Sequence, residues 1–143
     1  MTSSASPVGI GVIGLGRGFV LMLPAFRADR RVRLVAACAP REESRAAFRT
    51  EFGGNAYPDV ESLCADPEVE IVYVATPHEL HCEHVIAAAK AGKHVFVDKP
   101  IAITLEDATR MVEACREAGV QLIVGPSHSF DAPVALARQL IES

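Results

Sequence analysis

The chain has 143 residues, half of them apolar and 22% charged, with a formal net charge of −4. That length suits one domain with a real core, and the lack of a basic patch argues against nucleic acid as a partner. No apolar run approaches the ~18 residues of a membrane span, and Met1 to Pro7 lack the basic start and apolar stretch of a signal peptide; they read as a disordered lead-in to a soluble, cytoplasmic protein.

Val8–Ile13 reads as a buried strand. It feeds into Gly14-Leu15-Gly16-Arg17-Gly18-Phe19 and reopens as a helix over residues 19–28, which Pro24 is expected to bend. Residues 31–38 form a second strand, and residues 41–52 a polar-faced helix stopped by Gly53-Gly54. Residues 56–57 make a very short third strand, and Asp59 caps a short helix running to Ala65. The unbroken apolar run 71–75 marks a strand buried on both faces. A helix over residues 79–91 ends at Gly92, and His94–Val97 is a fifth strand. Thr104, with Asp107 three residues on, caps the next helix, whose core face is Ala108, Met111, Val112, Cys115 and Ala118. Residues 121–124 close the series as a sixth strand, and Ala132–Glu142 reads as one more helix.

Strands alternating with helices imply an α/β fold: a parallel sheet, doubly wound, with helices on both faces, of the Rossmann type. Residues 8–126 make up that domain, and residues 127–143 look like the start of a second, truncated one. Cys38, Cys64, Cys82 and Cys115 never form a Cys-x-x-Cys pair and suit reduced core thiols. His78, His81, Cys82 and His84 invite a zinc reading, but His84 rotates away from the first two and no carboxylate or second ligand cluster accompanies them, so no metal is expected.

A strand, a glycine-rich turn and a helix start together make a phosphate site, because glycines admit the anion and the first helical N–H groups point at it. Here Gly14 and Gly16 fit the dinucleotide pattern, but the third glycine position holds Phe19, with Gly18 one residue early. The ring must fill the space a glycine leaves, or point away. A tight turn without a ligand is the plain alternative. Arg17 either approaches a pyrophosphate or is solvated. At the end of the second strand, where an Asp or Glu would read a ribose 2′-hydroxyl, stands Ala39. Arg41 and Arg45 lie close by and can pair with a 2′-phosphate, which leans the cofactor from NAD toward NADP; equally, they can be helix residues paired with Glu42 and Glu43.

Three further stretches complete a set: Ala75-Thr76-Pro77-His78-Glu79-Leu80-His81, Ala91-Gly92-Lys93-His94-Val95, and Asp98-Lys99-Pro100. With the glycine turn, their order and spacing resemble the glucose–fructose oxidoreductase / inositol dehydrogenase / rhizopine-catabolism MocA family. Residues 14–19 followed by Leu21-Met22-Leu23-Pro24 are similar to the phthalate 4,5-cis-dihydrodiol dehydrogenase branch.

The resemblance implies a two-domain NAD(P)-dependent oxidoreductase acting on a small hydroxyl-bearing substrate. A C-terminal domain would hold most of the substrate pocket and mediate homo-oligomerisation. Lys99 matches the family lysine near nicotinamide and substrate, and Pro100 its partner across a bond that is often cis. Asp98 stands where the family usually has Glu. Thr76, Pro77 and His78 match the loop over the cofactor, with His78 where Asn is common. His81 either lines the cofactor pocket or packs. His128, in Ser127-His128-Ser129-Phe130, matches the crossing into the second domain, near the nicotinamide. The family's acid/base pair would lie beyond Ser143, so the chain by itself is expected to bind dinucleotide and turn over little. A stand-alone dinucleotide-binding or redox-sensing module, or a purely structural domain, are the rival readings.

Overall fold

The computed structural model describes residues 6–125 and 132–142. Its elements are β1 (Val8–Ile13), α1 (Arg17–Ala28), β2 (Val32–Cys38), α2 (Glu42–Phe52), β3 (Asn55–Tyr57), α3 (Val60–Ala65), β4 (Ile71–Val74), α4 (His81–Lys90), β5 (His94–Val97), α5 (Leu105–Ala118), β6 (Leu122–Val124) and α6 (Ala132–Glu142). The six strands form one parallel sheet in the order β3-β2-β1-β4-β5-β6. Strand order therefore reverses between β1 and β4. Ligands of open α/β sheets bind outside the carboxyl ends of the strands at such a point.

Alternation along each strand builds two cores. Ile10, Val12, Ala37 and Tyr73 face α1 and α2, where Phe19 and Phe48 meet them. Ile13, Val72, Val74, Val95 and Val97 face the other side, against Leu63, Val85 and Met111. The register between β1 and β2 slips between Ile10 and Gly11, which pair with Leu34 and Ala36. Val35 is the extra residue of that bulge, so Val35 and Ala36 both join the second core.

Local signals act as their chemistry requires. Asp59 accepts from the Ser62 N–H at 2.8 Å, and Thr104 accepts from the Asp107 N–H at 3.1 Å. Gly53 and Gly119 end α2 and α5 in the left-handed conformation. Three expectations need correction. The segment expected as one helix over residues 79–91 begins as a 3₁₀ turn, His78–Leu80, before α4. α1 starts at Arg17 rather than Phe19. On α5, Met111 and Cys115 are buried, but Val112 and Ala118 are exposed: Val112 lies about 100° round the helix from Met111, and Ala118, though on Met111's face, is the last residue of the helix. All four cysteines are free and buried. Among the described residues, no helix is long and apolar enough to cross a membrane.

Candidate functional site: a cleft at the strand ends

A cleft opens at the carboxyl edge of the sheet. Its floor is Gly14, Leu15 and Gly16 after β1; Ala39, Pro40, Arg41 and Ser44 after β2; and Ala75, Thr76, Pro77 and His84 after β4. Asp59, at the end of β3, closes one side.

The glycine turn divides its work between fold and ligand. Gly14 has φ +94°, and a methyl there would lie 2.8 Å from the Ala75 carbonyl oxygen, so only glycine fits this crossing of β1 and β4. At Gly16 a methyl would meet nothing within 4 Å: the space is open to the cleft. Gly16 is the N-cap of α1, with no side-chain cap and no acidic residue in the first turn. α2, α3, α4 and α5 each carry an acid there. The free N–H groups and positive end of α1 thus face open space, as a pyrophosphate site requires.

Phe19 settles the missing third glycine. Its side chain is buried between α1 and the sheet and meets Phe52 edge-on at 6.1 Å. The close approach falls on Gly18 instead, where a methyl would stand 2.5 Å from Asp98 Oδ2 and 3.5 Å from Ala75 Cβ. Arg17 is exposed at the helix start.

At the end of β2, Ala39 is buried, and its carbonyl accepts from Arg45 Nη1 at 2.7 Å. Arg45 also reaches the Pro40 carbonyl at 2.8 Å and pairs with Glu42, which Arg49 pairs as well. Arg45 is therefore a brace for this loop: of the two readings the sequence left open, its pairing with Glu42 is the one observed. Arg41 is exposed on the cleft and makes no ion pair among the described residues. Ser44 was not singled out from the sequence; its place on the first turn of α2, three residues after Arg41, was the available signal.

Beyond β5, Asp98 and the exposed Lys99 lead into a cis Lys99–Pro100 bond. Tyr73 Oη donates to Asp98 Oδ1 at 3.0 Å. Burial, and then the Asp98 charge, push the Tyr73 phenol well above its usual range and keep it a donor. His81 is fully buried, with Nδ1 3.0 Å from the Pro100 carbonyl oxygen and Nε2 3.0 Å from that of Thr76. Its ring packs below the loop rather than lining the cleft. Thr76 Oγ1 lies 3.1 Å from His84 Nδ1, and burial pulls the His84 pKa below its ordinary value. His78 is exposed and meets His81 edge-on at 5.5 Å. Cys82 Sγ points to the Asp107 carbonyl. Among the described residues, no three His, Cys, Asp or Glu side chains converge on a metal position. His128 lies outside the described residues.

A six-stranded sheet of this order, with an open glycine-lined helix start at its switch point, defines a dinucleotide-binding Rossmann domain. Residues 8–126 match the family described as "Oxidoreductase family, NAD-binding Rossmann fold". The chain belongs to that family, the one its motifs resemble, as its NAD-binding Rossmann domain. The 1-carboxy-3-chloro-3,4-dihydroxycyclohexa-1,5-diene dehydrogenase of Comamonas testosteroni is 53% identical over 135 residues, 94% of this chain and 34% of that protein. Among solved structures, the WlbA dehydrogenase from Bordetella pertussis, in complex with NADH and UDP-GlcNAcA, superposes with a TM-score of 0.88 at 33% identity, over 95% of this chain and 42% of that one. Biliverdin reductase from Synechocystis, in complex with biliverdin and NADP+, gives 0.82 at 32% identity, over 95% and 43%. The chain thus spans about a third of the curated relative and about two fifths of the solved chains.

Proposed function

We propose that the full-length protein is an NAD(P)-dependent dehydrogenase of a carboxylated cyclohexadiene diol, a class that includes the phthalate dihydrodiol. The observation that carries this reading is one edge holding both parts: the open helix start at Gly16 and the exposed Lys99 turn, on either side of the β1–β4 switch point. The substrate class follows the Comamonas relative, whose name specifies vicinal hydroxyls and a carboxyl on a cyclohexadiene ring.

The residues fit a dinucleotide. Gly14 and Gly16 bring backbone to the pyrophosphate, α1 supplies its N–H groups, and Thr76, Pro77 and His78 border the nicotinamide half, with Leu15 and Arg17 flanking the phosphates. When bound, the nicotinamide accepts hydride from the carbinol carbon. Lys99, an ammonium donor, would hold the substrate hydroxyl and stabilise the alkoxide as its proton passes to the acid/base pair of the second domain. Asp98 and Pro100 set the turn that presents it. With no carboxylate at Ala39, and with Arg41 on the cleft in no ion pair among the described residues, the ribose end favours NADP. A second domain beginning after residue 126, with His128 at the crossing, supplies the rest of the substrate pocket and the contacts of a homo-oligomer.

The test is turnover of a 3,4-dihydroxycyclohexadiene carboxylate by the full-length protein with NAD+ or NADP+, followed as reduced nicotinamide. Lys99→Ala is expected to lower kcat on the order of a hundredfold or more, the scale of a lost charge-stabilising donor. No turnover of any ring diol, with dinucleotide binding intact, would favour a stand-alone binding module.

A further inference from the structure

Two buried polar side chains aim at the same short turn from different elements, and the partners of their polar atoms lie in that turn or in the loop at Thr76. Tyr73 sits in mid-strand with no exposure, its ring stacked on Phe96 at 4.9 Å and edge-on to Phe26 at 5.5 Å. A phenylalanine would make those ring contacts equally well. The hydroxyl, costly to bury without a partner, has Asp98 Oδ1 as its acceptor. His81 is likewise fully buried at the start of α4, and an apolar side chain would fill its place without an imidazole to satisfy. Both of its ring nitrogens face carbonyl oxygens, Pro100 at 3.0 Å and Thr76 at 3.0 Å. Carbonyls only accept, and a neutral imidazole carries a single N–H, so the neutral ring donates to one of the two carbonyls and packs its other nitrogen against the second; only the protonated ring donates to both.

The residue between the two anchored ones is Lys99. On its N-terminal side, the Asp98 N–H donates to the Val74 carbonyl at 3.1 Å, Tyr73 holds one carboxylate oxygen, and Gly18 leaves room for the other. On its C-terminal side, His81 lies against the Pro100 carbonyl. The same ring touches Thr76, which lines the cleft. We propose that Tyr73 and His81 are positioning residues: together they fix the backbone on both sides of Lys99, and His81 sets the distance between that turn and the cofactor loop at Thr76. This rests on the reading of Lys99 as the group that meets the substrate hydroxyl.

A displacement of about 1 Å at a reacting group costs rate on the order of a hundredfold while leaving distant binding contacts in place. In the full-length protein, Tyr73→Phe and His81→Phe are expected to lower kcat about tenfold to a hundredfold, with the KM for dinucleotide changed less than about threefold. His81→Gln, which restores one donor, should recover part of the loss. In a Lys99→Ala background neither Phe substitution should lower kcat further, because both act through that lysine. If Lys99→Ala is inactive but Tyr73→Phe and His81→Phe keep wild-type kcat, or cost as much without the lysine as with it, the proposal is overturned while the role of Lys99 stands. If Lys99→Ala keeps full activity, the role of Lys99 is refuted, and the anchoring is decided by 15N relaxation of the 143-residue chain. There the amide order parameters of Lys99 and Ile101 should fall from about 0.85 toward 0.6 in Tyr73→Phe and His81→Phe. Unchanged values would overturn the anchoring. Should His81→Phe fail to fold, Tyr73→Phe, which keeps its ring contacts, and His81→Gln carry the same test.

Discussion

Gly14 and Gly16 are two residues apart in one turn, yet their alanine variants should fail in different ways. At Gly14 a side chain is forced into φ +94°, and its methyl lands 2.8 Å from the Ala75 carbonyl oxygen and 3.0 Å from the carbonyl carbon. Those are backbone atoms held in the sheet, since the Ala75 N–H donates to the Ile13 carbonyl at 2.9 Å. The positive φ costs about 1–2 kcal/mol, and overpacking adds about 1–3 kcal/mol. Gly14→Ala should therefore lose roughly 2–5 kcal/mol, a fall in Tm of roughly 6–15 °C for a domain of this size. At Gly16, φ is −89° and a methyl meets nothing within 4 Å, so Gly16→Ala should lose only what a poorer N-cap costs, about 1 kcal/mol or less, and melt within roughly 3 °C of wild type. It should instead lose dinucleotide affinity, because the methyl occupies the space in front of the α1 N–H groups. Calorimetric melts with and without NADPH separate the two effects. A wild-type Tm for Gly14→Ala, or undiminished ligand stabilisation of Gly16→Ala, would refute the division of labour in this turn.

The ribose end gives a second prediction: Ala39→Asp should move the NADH/NADPH affinity ratio toward NADH by about tenfold or more, since a charged hydrogen bond to the 2′-hydroxyl contributes about 1.5–3 kcal/mol. Paired titrations of the two cofactors check it, and an unchanged ratio removes the argument from Ala39. Burial pushes the Cys38 and Cys64 thiols up from 9.0 to about 11 each. Folded values above the unfolded ones mean a contribution that is whole below pH 9 and lost as pH rises toward 11, up to about 2–3 kcal/mol per thiol. Urea midpoints should fall over that range, and fall less in Cys38→Ala/Cys64→Ala. His84 carries the opposite sign of pH dependence. Its folded pKa lies below 6.5, so its contribution is whole above that pH and is lost as pH falls through the folded value. His84→Asn should flatten the decline in stability between pH 7.5 and 5.5, and an unaltered slope would show that the ring titrates as if solvated.

What could be read from the sequence followed from periodicity and capping. β1 and β4 are buried on both faces, so apolar runs announced them, and Asp59 and Thr104 announced the starts of α3 and α5 through side-chain oxygens that need an N–H. The bulge at Val35 left no trace, because a pairing slip depends on the neighbouring strand rather than on the residue itself. Val112 misled because an apolar residue next to a buried Met111 is still a third of a turn away from the core. At the site, the motifs located the glycine turn, Thr76 and Lys99, but not what holds them. The acceptors of His81 are backbone carbonyls five residues before it and nineteen after, and a carbonyl is the same for every residue type. Tyr73 did carry a signal: one hydroxyl in a run buried on both faces demands a partner, and β5, the neighbouring strand, delivers Asp98.

The most direct measurement is a titration of the 143-residue chain with NADH and NADPH, monitored by backbone NMR. Saturable binding, with shifts concentrated at Gly14 to Gly18, Ala39 to Arg41 and Thr76, is the expected result. No binding of either dinucleotide, or shifts confined to the opposite edge of the sheet, would contradict the assignment of this cleft.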